Sequence, residues 1–443
     1  MNATTVETLE TMRKKAKGAA EPRQLSDEER LERAKEAFLA NLDSEMATHL
    51  ESCIHCGMCA EACHYQTGTQ DPRYTPIHKV EPLKRFYRRE VDPLRAIRRL
   101  FTPKLTLRDL EAWKPLVYDG CSQCGRCSIL CPMGIHIQQL IYVTRAGMAA
   151  AGLAPEELQG PADEQLRENT LFGAGSEQLQ AKVEELRGKG YDVPLDKDQA
   201  DVLVLSTAHD FIGDSDTLEA TVKVLNHTGV DWTIRSDAFE SSNFGFLSGD
   251  EAAKKKISER IVNAAIDVGA KRVIISECGH AYPTLRWEAA NLHRKALPFD
   301  VQSVSEFLAA ELEEGRLKVE KDDGGNRTWA YHDSCKMGRL GGAIEEPRAV
   351  LRAMGIEIKE MESHGRTNLC CGGGGGVILM ESAQGLRRKA FTLKREDVDN
   401  TGATDVAVSC GGCRTTLETG KAETNWNINI HSLVEMVADR LAS

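Results

Sequence analysis

Two cysteine runs of identical form constrain this chain more than anything else in it. Cys53, Cys56, Cys59 and Cys63 are spaced by two, two and three residues, and Cys121, Cys124, Cys127 and Cys131 repeat that spacing, with Pro132 following. Two-residue gaps let a chain wind around one iron–sulfur cube so that three thiolates reach three irons. The fourth cysteine opens the next helix and points to the other cube. On that pattern Cys53, Cys56, Cys59 and Cys131 hold one cubane 4Fe-4S cluster, and Cys121, Cys124, Cys127 and Cys63 hold a second. A chain with two such clusters moves electrons. Gly57 and Gly125 fall where the backbone must pass close to an inorganic core. Zinc sites use four ligands, commonly as two separated pairs, so two complete runs argue against a zinc scaffold. His55 and His64 adjoin ligands and read as supporting or surface residues.

The 443 residues are enough for two to three domains, and 41% hydrophobic against 5% aromatic residues predicts aliphatic cores. A net charge of -11 argues against a nucleic-acid binder, which needs basic surface to displace counterions. No apolar run is long enough to span a membrane, and the N-terminus lacks the apolar core of a signal peptide. The expected location is cytoplasmic, with any membrane contact supplied by a partner. Cytosolic thiols are kept reduced, so fourteen cysteines predict metal clusters rather than disulfides.

Residues 1–45 form a charged N-terminal arm, either disordered or a docking helix, with capping-box spacing at Ser26 and Glu29. Residues 46–150 carry the two runs. Between them lies a basic segment, Lys84 to Arg108, which reads as a solvated helix face or as a docking surface for an acidic partner. Residues 151–200 read as a helical connector. Apolar runs at 202–205, 273–275 and 406–408 predict buried parallel strands alternating with helices. Residues 269–276 resemble 402–409, so two pseudo-duplicated lobes are expected, 201–315 and 328–443. The predicted fold is α+β: a mainly helical dicluster domain, then a pseudo-duplicated α/β domain.

A second cysteine set lies in the last lobe: Cys335, a gap in the thirties, Cys370-Cys371-Gly372, a similar but slightly longer gap, then Cys410 and Cys413. This resembles the cysteine-rich CCG domain. With the first eight cysteines, and with the phrases Glu277-Cys278-Gly279-His280 and His332-Asp333-Ser334-Cys335, the chain from about 46 to 440 resembles the family of the heterodisulfide reductase D subunit. Within it, the resemblance is nearest to the K subunit linked to dissimilatory sulfite reductase, and it extends to subunits of sulfur-oxidising complexes. It implies a ferredoxin-like domain followed by a CCG domain whose Cys335, Cys370, Cys371, Cys410 and Cys413 hold a non-cubane 4Fe-4S cluster that acts on sulfur. Gly372 and Gly373 open a five-glycine run, read as bare backbone over that cluster with room for a thiol. A second CCG motif would put cysteines near Ser206 and at Ser241-Ser242, where this chain has serine. One non-cubane cluster is therefore expected. Cys278 is a sixth thiol at the metal centre or a buried structural cysteine.

The resemblance implies electrons passing between the cubanes and a centre that splits or forms a disulfide, trisulfide or persulfide. His332 and His280 are candidate proton donors, and Lys336 a candidate stabiliser of thiolate. Implied partners are other subunits of a heterodisulfide-reductase-like complex, either a flavoprotein or a membrane quinone-linked subunit, and a small sulfur-carrier protein as substrate. The competing reading is an electron relay serving a flavin-dependent glycolate, lactate or glycerol-3-phosphate dehydrogenase. No glycine-rich phosphate loop follows a strand, so no nucleotide or flavin is assigned to this chain.

Overall fold

A computed structural model describes residues 3–20, 25–212, 216–322 and 324–442. Parts of the predicted arm (Met1, Asn2 and 21–24) and residue 323 of the predicted lobe boundary lie outside these. The described arm is helical, as Ala3–Ala19 and Asp27–Ala40. The second of these helices starts on a complete capping box. Ser26 Oγ accepts from the Glu29 amide, and the Glu29 carboxylate accepts from the Ser26 amide at 2.8 Å. Its Ala34 and Phe38 are buried. Phe38 packs where helix Ile137–Ala150 has Gly147, since a Cβ there would overlap the ring. This part of the arm is therefore core, not a solvated tail.

Helix Ile137–Ala150 is the axis of the helical half and is buried almost all round. Leu83, Leu110, Val117 and Tyr118 pack with it, as do Leu158 and Ala162 from helix Glu156–Glu168 in the connector. The basic segment differs from a uniformly solvated face. Lys84 is buried, Arg85 pairs with Asp109 at 3.0 Å, and Arg98 pairs with Glu51 at 2.7 Å. Buried or well-placed acceptors absorb these charges, which a one-dimensional charge count does not register.

Among the described residues seven strands form two parallel sheets. The first has order β2-β1-β3-β4, from β1 (Val202–Leu205), β2 (Trp232–Thr233), β3 (Arg272–Ile275) and β4 (Asp300–Ser303). The second has order β5-β6-β7, from β5 (Trp329–His332), β6 (Asp405–Val408) and β7 (Asn429–Ser432). Val202 registers with Arg272, and Trp329 with Asp405. Side chains on a strand alternate between faces, and here alternate residues enter two different cores. Leu203, Leu205, Val273, Ile275, Val406 and Val408 share one core with Cys278, Cys335, Cys370, Cys371, Cys410 and Cys413. Val202, Val204, Ile274, Tyr331 and Ala407 face the other. The two sheets thus bracket the second cysteine set, which sits at their C-terminal ends.

Candidate metal centres and the cavity between them

The two cysteine runs fold alike. His55 and Gln123, two residues after the first cysteine of each run, take positive φ of 55° and 53°. Gly57 and Gly125 cap the following helices in the left-handed region, at φ 85° and 77°. At Gly57 this conformation alone requires glycine, because a Cβ there would meet nothing within 4 Å. At Gly125 close approach adds to it, since a Cβ would lie 2.9 Å from Leu340.

Two small cavities of equal size separate the eight cysteines. One is lined by Cys53, Cys56, Cys59 and Cys131, the other by Cys63, Cys121, Cys124 and Cys127. The first is near the surface, where Cys56 is exposed. The second has no exposed cysteine. Lys79, only 1% exposed, enters its wall, with Nζ 3.7 Å from Cys63 Sγ and 2.5 Å from the Gly120 carbonyl. Burial works against the Lys79 ammonium, but the sulfurs of Cys63, Cys121 and Cys127 outweigh it and raise its pKa. His64 also lines this cavity, where burial pushes its pKa down to about 3.

The second cysteine set converges without disulfides. Cys335 opens a wide helical turn after β5, and Cys410 precedes helix Gly411–Thr424, which carries Cys413 in its first turn. Cys335 Sγ lies 3.8 Å from Cys370 Sγ, and Cys371 Sγ lies 3.5 Å from Cys413 Sγ. A hydrogen bond from Cys413 pulls the Cys410 thiol down to about 6. The Gly372 amide donates to Cys370 Sγ at 3.4 Å. Burial pushes the His332 pKa down to about 3, and both of its ring nitrogens lack a partner. One of them shares a radius of 4.8 Å with the Cys371 and Cys413 sulfurs. Soft donors with an orphaned buried nitrogen fit an iron–sulfur group.

In front of this set is a large cavity. Cys335, Cys371, Cys410 and Cys413 form one wall, and Cys278, His280 and Lys336 line it with them. Leu9 and Met12 of helix Ala3–Ala19 also line it. His332 and Cys370 lie behind the wall. Lys336 Nζ is buried without a hydrogen-bond partner, over the Phe246 ring at 4.9 Å. Burial lowers its pKa against the pull of Cys335 and Cys124. His280 Nε2 accepts from the Asn243 amide at 3.3 Å, so its Nδ1–H faces Cys278 Sγ at 3.7 Å.

The four-cysteine cavity lined by Cys124 and the second cysteine set share a boundary. The neighbouring Cys124 thiol is the chief cause of the lowered Cys370 pKa. Arg339 reaches back to the Cys124 carbonyl at 2.7 Å, and Arg126 reaches forward to the Thr367 carbonyl at 2.8 Å. Tyr65 Oη donates to the Gly372 carbonyl at 2.8 Å. The five-glycine run is the packed face of this boundary rather than open space alone. A Cβ at Gly375 would lie 2.8 Å from the Ser122 backbone, and one at Gly376 would overlap Leu158. Sequence reading missed Tyr65, Lys79, Arg126, Arg145 and Arg339. Only Arg145 leaves a trace in sequence, as one charge in an apolar helix.

These features define a class: an electron-transfer protein joining a dicluster domain to a cysteine-rich domain. Residues 52–136 match the 4Fe-4S dicluster domain, and 329–418 match the CCG cysteine-rich domain. The chain carries two 4Fe-4S clusters and a non-cubane cluster site. Its relatives include heterodisulfide reductase and Hdr-like iron–sulfur subunits. It is 27% identical over 412 residues to the D subunit of dihydromethanophenazine:CoB–CoM heterodisulfide reductase from Methanosarcina mazei, covering 90% of this chain and 96% of the relative. It is also 27% identical over 377 residues to Hdr-like menaquinol oxidoreductase iron-sulfur subunit 2 of Archaeoglobus fulgidus, covering 73% of this chain and 66% of that one. EtfAB:quinone oxidoreductase of Syntrophomonas wolfei is 26% identical, covering 73% of this chain and 48% of the relative. An oxidoreductase role follows. No helix among the described residues is long and apolar enough to cross a membrane.

Proposed function

We propose that this chain passes electrons between an outer redox partner and a disulfide, persulfide or trisulfide borne by a thiol or a small sulfur-carrier protein. The observation that carries the reading is the Arg339 guanidinium, which bonds the Cys124 carbonyl at 2.7 Å and the carbonyl of Asn368 two residues before Cys370, and so joins the inner cubane site to the thiol-lined cavity. On this reading Cys53, Cys56, Cys59 and Cys131 hold the outer cubane, and Cys63, Cys121, Cys124 and Cys127 the inner one. Cys335, Cys370, Cys371, Cys410 and Cys413 hold the non-cubane group. The linings of the two smaller cavities and the short Sγ–Sγ distances support these sets.

When bound, the non-cubane group supplies iron that takes up sulfur and passes electrons singly. Splitting an S–S bond to two thiols consumes two electrons and two protons. Phe244, Leu247 and Leu379 keep the cavity wall apolar, which strengthens every charge interaction within it. The unpaired Lys336 ammonium is placed to hold the sulfur anion left when the bond opens. His280 stays neutral, with a pKa of about 4 set by burial and Lys336, and presents Nδ1–H toward Cys278. The amides of Gly372 and Gly373 steady the thiolates of Cys370 and Cys371.

We also read the chain as an arm at 1–45, a ferredoxin-like domain at 46–150, a connector at 151–200, and duplicated lobes at 201–315 and 328–443. β1 lies between β2 and β3, and β5 likewise lies between a bridge at Ile358 and β6. Aligning β3 with β6 sets Glu277 against Cys410 and His280 against Cys413, so the first lobe has lost its ligands. Full-length relatives that are heterodisulfide reductase subunits favour thiol chemistry over a relay to a flavin dehydrogenase. A cytoplasmic site beside a membrane or flavin partner fits this reading. The test is spectroscopic. Anaerobic protein is expected to hold about twelve irons, and oxidised protein with added thiol to give a paramagnetic signal unlike a cubane's. Cys370→Ser or Cys371→Ser is expected to abolish that signal, and its survival would overturn the assignment.

A further inference from the structure

The segment between the two cysteine runs ends in an exposed apolar tip. Leu94, Ile97, Leu100 and Phe101 are 57%, 61%, 77% and 82% exposed. Their spacing puts them at successive turns of the short helix Arg95–Arg98 and the turns that follow it. A soluble surface seldom shows four large apolar side chains together unless something covers them.

This exposure is built in. Asp92 is 2% exposed, and its carboxylate accepts from the Leu94 amide at 2.6 Å and pairs with Arg98 at 2.6 Å. Arg98 also pairs with Glu51 at 2.7 Å. Arg89 donates to the carbonyls of Arg99 and Thr102 at 3.0 and 2.6 Å, and Arg99 Nε returns a bond to the Arg89 carbonyl at 2.8 Å. Arginines and a buried carboxylate thus lock the turn from inside and leave the apolar side chains pointing out.

Charge selects the occupant. The chain carries -11 overall, yet this segment is basic. Arg95, Lys104 and Arg108 are exposed and have no ion-pair partner among the described residues. An exposed apolar tip flanked along the chain by unpaired cations has the chemistry of an interfacial membrane anchor: apolar side chains enter the acyl boundary while cations meet anionic headgroups. Glu51, which holds Arg98, lies two residues before Cys53, at the cavity where Cys56 is exposed. Ile54, Met58 and Met133 extend exposed apolar surface around that cavity.

We propose that the Leu94–Lys104 tip inserts into the surface of an anionic lipid bilayer and brings the Cys53–Cys131 cavity to the membrane plane. The proposal does not depend on the sulfur chemistry, because binding to lipid needs no thiol substrate.

The experiment is co-sedimentation of the anaerobically purified full chain with vesicles of phosphatidylcholine alone, or with about 30% phosphatidylglycerol. Wild type is expected to pellet with the anionic vesicles, less with the neutral ones, and less again at high salt. Leu100→Asp with Phe101→Asp is expected to bind at least about tenfold more weakly, as is Arg95→Glu with Lys104→Glu. Wild-type iron content and absorption in both variants would show intact folding, because these side chains are solvent-facing. Failure of wild type to bind either vesicle would overturn the proposal. So would unchanged binding by the Leu100/Phe101 variant, or a lipid-free dimer that this variant dissociates, which would assign the tip to a second copy of the chain.

Discussion

Arg145 Nη1 donates to the backbone carbonyl of Gly375 at 2.9 Å, while its Nη2 donates to the Cys121 carbonyl at 2.7 Å. One fully buried guanidinium therefore ties the glycine run beside Cys371 to the loop that starts the second cysteine run. It also bonds the carbonyls of Val117 and Leu247 at 3.2 and 2.9 Å, and lies over the Tyr118 ring at 4.8 Å. Burial depresses its pKa against the opposing influence of Cys121. No neutral side chain satisfies so many converging carbonyls.

Arg145→Met is expected to leave those acceptors unpaired, at a cost on the order of 4 kcal/mol. Thermal unfolding should begin several degrees lower. Electron transfer between the inner cubane and the thiol-reactive site should also slow in folded protein, read by stopped-flow reduction. Arg145→Lys, with fewer donors and no planar fork, should fall between the two. A Met variant as stable as wild type would mean the clamp contributes nothing.

Gly279 gives a sharper cut between centres. A Cβ at this position would lie 2.8 Å from Cys410 Sγ and 3.2 Å from Ser334 Oγ. Real Cβ atoms do not approach sulfur so closely, so Gly279→Ala must displace Cys410. The expected outcome is loss of the non-cubane signal with about eight of twelve irons retained. Loss of all iron would instead indicate global unfolding.

The parts legible in sequence were those fixed by short-range spacing. The two runs, the second cysteine set, and the central strands Val202–Leu205, Arg272–Ile275 and Asp405–Val408 all announce themselves by local pattern. β4 (Asp-Val-Gln-Ser) and β7 (Asn-Ile-His-Ser) do not, because each is a sheet edge with exposed polar positions and no apolar run. β2 has only two residues. The bonds of Arg126 to Thr367 and of Arg339 to Cys124 join positions more than two hundred residues apart, which no local pattern reveals. Roofing of the large cavity by Leu9 and Met12 is hidden for the same reason. The apolar side chains of Leu94–Phe101 lie among arginines in sequence, and no local pattern reveals that Arg89 and Arg98 turn inward.

Glu240 predicts a pH effect on stability. Its carboxyl accepts from the amides of Ala208 and Ser242, faces Asp210, and interacts with Arg260. Burial nonetheless pushes it from 4.5 up to about 7. A carboxyl with a raised folded pKa holds its proton more tightly in the folded state. Its stabilising contribution is full below pH 4.5, declines as pH rises toward about 7, and levels off above. The expected loss is on the order of 3 kcal/mol across that window. Glu240→Gln should flatten the dependence of unfolding temperature on pH, and an equal slope in the variant would refute the assignment.

Cys278 tests whether every thiol on the large cavity serves the metal. Its Sγ lies 3.7 Å from His280 Nδ1 and 3.8 Å from Ser242 Oγ, and burial pushes its pKa up to about 12. The Cys410 thiol, close by across Gly279, is pulled the other way, to about 6. Cys278 Sγ is thus engaged by a histidine and a serine, whereas Cys371 and Cys413 engage each other's sulfur, and this geometry marks Cys278 as a structural thiol. Cys278→Ser is expected to keep wild-type iron content and spectra, since the hydroxyl can take over the bond to His280. Alkylation of Cys278 in the holoprotein at pH 8 should be at least about a hundredfold slower than that of a free cysteine. Loss of about four irons in the serine variant would make Cys278 a ligand instead.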